Sequence, residues 1–331
     1  MATIKDVAKA AGLSPAAVSR HLNGRISLPA ETRARIDKAI KDLDYRPNLM
    51  AKRLSTGRTE ALSLVTPHIN NPFFTEFAAS VEAQAAQAGY SVYFSSTQGD
   101  PEREIAAIRR LRDRHVDGMI FLPSQPDDGA LLKALDGLDN IVIVDEDIDG
   151  ATQPRIFVEN ETGTRLAVNH LVALGHRKIA MVGGGPNGVL SAVERARGWR
   201  NALADHGLTP FAYYGGDYSR EHGHAAAAQL LEDELPTALV VGADEIAIGL
   251  IEAFRPAGIR VPQDISIVGF DDARYSALIG PALTTVRQPV PELGQLAFNH
   301  LLKAMTGETV AHETRVPVEL IVRESSAPPR T

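Results

Sequence analysis

Cysteine is absent from the 331 residues of this sequence, and long apolar runs are absent as well. The lack of thiols excludes a disulfide framework and thiolate metal sites, and it suits a reducing compartment. No stretch reaches the roughly 18 apolar residues that a membrane span requires. The first residues also lack the apolar core of a signal peptide, so we expect a cytoplasmic protein. A hydrophobic content of 44% is ample for two or three compact units.

The charges are distributed unevenly along the chain. The first 58 residues contain 12 Lys and Arg but only 5 Asp and Glu, whereas the rest contains 22 and 36. A basic segment joined to an acidic body is typical of a nucleic-acid-binding module fused to a second domain. Charge alone does not distinguish a nucleic-acid-binding module from a basic segment that is merely soluble, so the distinction depends on the sequence motifs.

The basic segment has the sequence signals of two short helices joined by a tight turn. Apolar residues at positions 4, 7, 8 and 11 recur at helical spacing, Thr3 is placed to cap them, and Gly12 ends the helix. Ser14 then stands at a second N-cap and Pro15 at the first helical position. A third helix is predicted from about Pro29, with an apolar stripe at 36, 39, 40 and 43. This pattern favours a helix-turn-helix unit over a generic three-helix bundle.

The second helix of such a unit enters the major groove of DNA, where its side chains meet base edges. Arg20 is the strongest candidate, because a guanidinium can contact guanine through two hydrogen bonds. The slim, alanine-containing start of the helix leaves room for contacts with thymine methyl groups. The candidate DNA-contacting residues in this region are Ser14, Ala16, Ser19, Arg20, His21 and Asn23.

A basic linker follows at residues 47–58. Pro47 can start a helix and Gly57 can end one, but about two turns are too short to be stable alone. A marginal basic helix is expected to fold when it meets DNA, and Leu54 is the type of side chain that wedges into a minor-groove step. The alternative is an ordinary flexible linker. The candidates for DNA contact here are Tyr45, Asn48, Arg53 and Leu54.

From residue 60 onward, apolar runs alternate with helical stretches. The predicted strands are ALSLVTP, YSVYFSS, DGMIFLP and NIVIVDE, and after about residue 160 the scheme repeats with KIAMVGG, TALVVGA and DISIVGF. Unbroken Val, Ile and Leu strands that alternate with helices predict parallel sheets covered on both faces. Two such series predict two similar α/β lobes. Ligands of these folds bind outside the carboxyl ends of the strands, so a cleft between the lobes is the expected site.

The segments TIKDVAKAAGLSPAAVSRHLNG and ETRARIDKAIKDLDYRPNLMAKRLSTGRT resemble the lactose-repressor (LacI/GalR) family of bacterial transcription regulators, and the resemblance extends over the whole chain. It implies that the second helix reads the major groove and that a hinge helix inserts Leu54 into the minor groove. The chain differs at Pro15 and at Ala17, where family members usually have Thr. This difference shifts the expected base contact toward Arg20.

The resemblance also implies a body like a periplasmic sugar-binding protein, with three crossings between the lobes, here near residues 160, 289 and 317. We therefore predict an all-α helix-turn-helix head at 1–46 and a hinge at 47–58. A two-lobed α/β effector-binding and dimerisation domain with parallel sheets is predicted at 59–331. Lobe 1 is expected at about 59–160 and 290–316, and lobe 2 at about 161–289 and 317–331.

Strand ends indicate the first cleft residues. Phe73 and Phe74 follow the first strand, and one of them is expected to pack in the core, because adjacent side chains cannot both face the same way. Asp145 ends the fourth strand. Asp271 ends a later strand, where it could alternatively cap a following helix.

The resemblance implies the remaining effector contacts. Arg195 stands three residues before a glycine, as the family's ligand-binding arginine does, and Ser191 lies four residues earlier; the alternative for Arg195 is a surface charge. Tyr218 matches a family position that carries an aromatic ring under the effector. Asp271 matches a carboxylate that accepts hydrogen bonds from hydroxyls, and Gln288 fits seventeen residues later.

This set contains one cation, Arg195, against Asp145 and Asp271, with Glu146 and Asp147 close by. The balance disfavours a strongly anionic effector and favours a neutral mono- or disaccharide. The segment MVGGGPNG lacks the spacing of a dinucleotide-binding loop, and HGH at 222–224 has no third metal ligand nearby. We therefore predict no cofactor, no metal site and no enzymatic activity.

The sequence thus predicts a homodimeric DNA-binding transcription regulator, a repressor that releases its operator when a sugar binds between the lobes. The end of the sequence has no leucine heptads, which favours a dimer over a tetramer. Two alternatives are a sugar-binding transport component, which would have no use for the head, and a sugar-active enzyme with a regulatory head.

Overall fold

The computed structural model describes residues 2–22, 26, 28–45, 57–185 and 188–330. The chain forms two compact units, the head at residues 1–59 and the body at residues 60–331. In the predicted linker at 47–58, only Gly57 and Arg58 are among the described residues. Helices build the described part of the head: α1 Ile4–Ala11, α2 Pro15–Leu22 and α3 Ala30–Asp42.

Local capping explains where the helices of the head begin and end. Thr3 and Asp6 form a reciprocal capping box at the start of α1, and Gly12 ends this helix in the left-handed region with a φ of 65°. The hydroxyl oxygen of Ser14 accepts a hydrogen bond from the N–H of Ala17 at 3.2 Å, which satisfies one donor at the start of α2. The first helix therefore ends, and the second and third helices begin, close to the predicted positions.

A small core joins the three helices of the head. Val18 of α2 is completely buried, and it is surrounded by residues of α1 and α3. The predicted stripe of α3 is wrong at its last position: the helix ends at Asp42, and Leu43 is 37% exposed. The buried core residues are Val7, Ala8, Ala11, Val18, Ile36 and Ala39.

The body contains two six-stranded sheets. All neighbouring strands are parallel except the pair β10–β12, which is antiparallel. The first sheet has the order β11-β5-β4-β3-β1-β2 and the second has the order β12-β10-β9-β8-β6-β7. The all-α head followed by a two-lobed α/β body confirms the predicted fold class. We call the first sheet with its helices lobe 1 and the second sheet with its helices lobe 2.

Lobe 1 is built around strands that are buried on both faces, as β3 and β4 are over their whole length. The run YSVYFSS is different: it forms the edge strand β2, where Val92 and Phe94 pack on the core but Tyr93, on the opposite face, is 53% exposed. The elements of lobe 1 are β1 Ala61–Thr66, α4 Pro72–Gln87, β2 Ser91–Ser96, α5 Pro101–Arg112, β3 Gly118–Phe121, α6 Ala130–Leu135, β4 Ile141–Val144, β5 Arg155–Val158, α11 Val290–Thr306 and β11 Glu313–Val316.

Lobe 2 has the same alternation of strands and helices. Its second helix, α8, approaches its first helix, α7, so closely that a Cβ on Gly198 would lie 2.4 Å from the carbonyl oxygen of Glu161. The elements of lobe 2 are α7 Asn160–Ala173, β6 Ile179–Gly184, α8 Leu190–Asp205, β7 Tyr213–Gly216, α9 Arg220–Glu232, β8 Ala238–Val241, α10 Asp244–Phe254, β9 Ser266–Asp271, β10 Thr284–Arg287 and β12 Glu319–Ile321.

The chain passes between the lobes at three places. It leaves lobe 1 between β5 and α7, returns between β10 and α11, and leaves again between β11 and β12. Helix α11 packs against α4, which anchors the returning chain in lobe 1. These three connections between the lobes place the carboxyl ends of the strands of both sheets around one cleft.

Candidate functional site

A cavity of about 760 Å³ lies between the lobes, at the carboxyl ends of the strands. This volume is in the range of small-molecule sites. Lobe 1 contributes the segments that follow β1 to β4, and lobe 2 contributes the segments that follow β6 to β10. The structure brings all eight residues of the predicted effector set to the wall of this cavity: Phe73, Phe74, Asp145, Ser191, Arg195, Tyr218, Asp271 and Gln288.

Arg195 lies at the centre of the cleft and is only 4% exposed. Its Nε donates a hydrogen bond to Oδ1 of Asn160 at 2.8 Å, and its Nη1 donates to the carbonyl oxygen of Gly242 at 2.5 Å. The guanidinium carbon is 3.8 Å from the ring centre of Phe270 and 5.4 Å from that of Tyr218. These contacts hold the side chain in one orientation before any ligand arrives, and they argue against the alternative of a solvated surface charge.

Two aspartates reach the cleft from opposite lobes. Asp145 follows β4 with a φ of 72°, and Asp271 ends β9 with a φ of 124°. Backbone strain of this kind in a non-glycine residue concentrates at functional sites. The Oδ1 of Asp271 accepts a hydrogen bond from Nε2 of Gln288 at 2.6 Å. Turns rather than a helix follow Asp271, so the alternative role of a helix cap is wrong.

Several polar atoms in the cleft are buried without a hydrogen-bond partner among the described residues. They are Oδ1 of Asp145, Oε1 of Gln288 and the hydroxyl of Tyr218. Buried polar groups are usually paired, and an unpaired one costs about 1–3 kcal/mol. A ligand with several hydroxyl groups would satisfy all three.

The remaining predicted positions divide between core and cleft. Phe73 is 6% exposed and stacks on Phe77 in the core of lobe 1, whereas Phe74 is half-buried and packs edge-on against Phe73 with ring centres 5.2 Å apart. Ser191 does not offer a free hydroxyl to the cavity, because its Oγ donates to Oε1 of Glu146 at 2.5 Å. Asp147 pairs with Arg155.

Sequence reasoning missed several charged residues of the cleft. Arg220, at the start of α9, is a second cation in the cavity wall, but it pairs with Glu245 at 3.4 Å and with Glu252 at 3.5 Å. Its position after β7 is the signal that could have identified it, since the segments after neighbouring strands converge at the same edge. Arg195 is therefore the cation that faces Asp145 and Asp271.

The pKa of each buried cleft carboxyl lies above its ordinary range. Burial raises the pKa of Asp271 to about 8, although the guanidinium of Arg195 opposes the shift. Burial and the neighbouring Asp145 together raise the pKa of Glu146 to about 8. Burial also raises the pKa of Asp145 itself. The folded cleft thus retains protons that the unfolded chain has released.

We expect the thermal stability of the protein to fall as the pH rises. In the unfolded chain these carboxyls lose their protons near pH 4, whereas Asp271 and Glu146 keep theirs up to about pH 8 in the folded chain. The folded state binds more protons across this interval, so stability decreases from about pH 5 to about pH 8 and then levels off. Melting temperatures measured across this range test the prediction. The isosteric variant Asp271→Asn should show a shallower decline, and an unchanged slope would contradict the assignment.

The described residues contain no metal site. No group of three or more His, Cys, Asp or Glu side chains that could hold a metal ion was found among them. In the HGH segment, Nε2 of His224 lies 3.0 Å from Glu252, and Nε2 of His222 is buried without a partner among the described residues. Residues 186–187 of the glycine-rich loop after β6 lie outside the described ranges. The same part of the chain has no helix that combines the length and apolarity of a membrane span.

The head presents one side of α2 to its surroundings. Ser14, Ala16 and Arg20 are exposed, and Ser19 and His21 are half-buried. Nε of Arg20 donates to the carbonyl oxygen of Ala16 at 3.3 Å, which places the guanidinium along the outer side of the helix. Tyr45 packs against the core of the head. Four further predicted DNA contacts lie outside the described residues: Asn23, Asn48, Arg53 and Leu54.

The comparisons with known proteins agree in both units of the chain. Residues 3–48 match the profile of "Bacterial regulatory proteins, lacI family". Residues 168–326 match the profile of a periplasmic binding protein-like domain. Catabolite control protein A of Priestia megaterium is 33% identical over 329 residues, which cover 98% of this chain and 99% of that protein. The chain belongs to the lacI family.

Solved structures of lacI-family proteins extend this agreement to three dimensions. The lac repressor dimer bound to operator and the anti-inducer ONPF has a TM-score of 0.89 and 32% identity, with 98% of this chain and 99% of that chain covered. A complex of the transcriptional regulator CelR with cellobiose has a TM-score of 0.74 and 28% identity, with 98% and 100% covered. This lacI-family chain is therefore a transcriptional regulator that joins a helix-turn-helix head to an effector-binding body.

Proposed function

We propose that the protein is a homodimeric repressor that binds a near-palindromic operator and releases it when a neutral mono- or disaccharide enters the cleft. The rigidly held Arg195, opposite two strained aspartates and surrounded by unpaired polar atoms, is the observation that carries the proposal. This arrangement leaves polar atoms at the centre of the cleft that no other side chain of the described residues satisfies.

The chemistry of the cleft supports a neutral polyhydroxylated effector. The unpaired oxygens of Asp145 and Gln288 can accept hydrogen bonds from the hydroxyl groups of such an effector. Nη2 of Arg195 can donate hydrogen bonds to it, because Nε and Nη1 already bond to Asn160 and Gly242. The rings of Phe74 and Tyr218 lie in the wall of the same cavity and suit the apolar face of a sugar. A phosphate ester would meet several carboxyls against one unpaired guanidinium, which disfavours it. The lac repressor and CelR complexes, with ONPF and cellobiose as ligands, are consistent with this class.

The shape of the head supports operator binding by a dimer. A three-helix head touches too few phosphates for tight binding alone, and a two-fold dimer matches a two-fold site. The lac repressor binds its operator as a dimer in one of the similar structures. Release on sugar binding follows if a change in the angle between the lobes alters the separation of the two hinges. The regulatory relatives favour this function over sugar transport or sugar turnover.

Operator binding is expected to weaken steeply with salt. A duplex selected from random-sequence DNA by the wild-type chain serves as the operator, and affinity is measured at several salt concentrations. Lys5 and Arg33 of the described head, with their basic neighbours, displace counterions from phosphates, at a slope of about 0.9 per phosphate contact. Sedimentation of the same complex should show two protein chains per duplex. A monomer at saturation, or an affinity that does not depend on salt, would contradict the proposal.

A screen of neutral sugars by thermal denaturation identifies the effector. A sugar that binds the folded body raises the melting temperature by mass action. The sugar that does so should then release the selected duplex, and turnover of that sugar by the purified chain would instead support a sugar-active enzyme.

A further inference from the structure

Helix α8 carries Arg195, yet it begins without a cap of its own. Its N-cap residue is Val189, whose side chain makes no capping hydrogen bond, and its first turn contains no acidic residue. The first four N–H groups of any α-helix lack partners within the helix, and a buried end needs them satisfied from elsewhere. Ser191, in this first turn, is only 2% exposed, so water does not provide the partner.

The missing cap comes from the opposite lobe. Glu146 follows β4 of lobe 1 and is 6% exposed. Oε2 of Glu146 accepts a hydrogen bond from the backbone N–H of Ser191 at 3.2 Å, and Oε1 accepts one from the Ser191 hydroxyl at 2.5 Å. We infer that Glu146 caps α8 across the cleft and thereby holds the two lobes, and Arg195 with them, in the arrangement of this structure.

A second contact ties the same helix to lobe 1. Glu194, one turn further along α8, is 2% exposed, and its Oε1 lies 3.0 Å from Nη1 of Arg315. Arg315 belongs to β11 of lobe 1, and its guanidinium carbon is 5.2 Å from the ring centre of Phe157 in the neighbouring strand. The first turns of α8 are therefore attached to lobe 1 at two points, directly before and beside Arg195.

These contacts favour the angle between the lobes that this structure shows. Rotation of α8 away from lobe 1 must separate Glu146 from Ser191 and Glu194 from Arg315, and buried polar groups that lose their partners are costly. The two contacts therefore favour one lobe arrangement, and a ligand that favours another must overcome them. This deepens the proposed function and rests on it for the link to DNA release, whereas the cap itself joins residues of the body alone.

The absence of cysteine allows a direct test on the full chain. Two substitutions at exposed positions across the cleft mouth, Gln125→Cys and Glu221→Cys, carry spin labels, and electron paramagnetic resonance reports the distance between them without sugar or DNA. Glu146→Ala should broaden the distance distribution or add a second population. Hydrogen exchange at the amide of Ser191 should accelerate at least tenfold, because Oε2 of Glu146 accepts its hydrogen bond.

Matched variants separate the cap from general damage. Asp149→Ala removes an exposed carboxylate three residues further along the same loop and should leave both measurements unchanged. Ser191→Ala removes the hydroxyl that donates to Oε1 of Glu146 and should broaden the distance distribution in the same way, so the test stands even if Glu146→Ala folds poorly. If Glu146→Ala and Ser191→Ala keep the parent distance distribution and exchange rates, the inference is overturned.

A separate measurement tests whether the Glu146 cap affects the release of DNA by sugar. With the sugar that the thermal screen identifies, Glu146→Ala should release the selected duplex at a concentration at least fivefold below that of the wild type. An unchanged concentration would show that the cap does not govern the switch. A wild-type chain that never releases DNA with any neutral sugar would instead refute the proposed function, while the distance and exchange measurements would still decide on the cap.

Discussion

Arg195→Ala is expected to abolish the release of operator DNA by the effector while operator affinity without effector stays within about threefold of the wild type. The Arg195 guanidinium lies in the cavity wall, where its hydrogen bonds to Asn160 and Gly242 fix its orientation, and a hydrogen bond to a charged group contributes about 1.5–3 kcal/mol. The loss of such a bond to the effector corresponds to an increase of about tenfold or more in the effector concentration needed. A DNA-binding titration with and without the sugar found by thermal denaturation measures it.

Two further variants sharpen this prediction. Asp271→Ala should have the same effect, because Asp271 contributes the carboxylate that Gln288 orients at 2.6 Å. Arg200→Ala removes an exposed guanidinium five residues further along the same helix, and it should respond to effector like the wild type. If Arg195→Ala or Asp271→Ala releases DNA at the wild-type sugar concentration, the sensing site lies elsewhere.

Arg20→Ala is expected to weaken operator binding by about 1–3 kcal/mol for each head, and therefore by about 2–6 kcal/mol for the dimer. The reason is that Arg20 is an exposed guanidinium of α2, the helix that a helix-turn-helix unit places in the major groove. The measurement compares the affinity of the variant for the selected duplex with its affinity for duplexes changed at single positions. The variant should lose discrimination at one base pair in each half-site.

The control for this prediction is another basic side chain of the head. Lys38→Ala removes an exposed charge that pairs with Asp42 on α3, and it should change affinity only slightly and equally for all duplexes. An Arg20→Ala variant that loses affinity equally for the selected and the altered duplexes would show that Arg20 contacts a phosphate rather than a base.

The amino-acid sequence alone determined the fold class, because the signals for it are local. Helical spacing, the Thr3 cap and Gly12 mark the first helix, and Ser14 with Pro15 marks the second, all within a few residues of each other. The continuous apolar runs identify strands buried on both faces for the same reason. The pattern was less informative where a neighbouring element decides burial, as for the edge strand β2 and for Leu43 after the end of α3.

The tertiary structure alone decided which side chains of the cleft bond to one another. Glu146 and Ser191 are 45 residues apart in the chain, and Arg315 lies 121 residues from Glu194, so no sequence spacing predicts either contact. The sequence predicted Ser191 as an effector contact, whereas the fold gives its hydroxyl and its N–H to Glu146. Strand periodicity places a residue at the end of its own strand, but the order of the strands and the packing of α8 between the lobes determine its partners. These depend on long-range burial, which a local pattern does not contain.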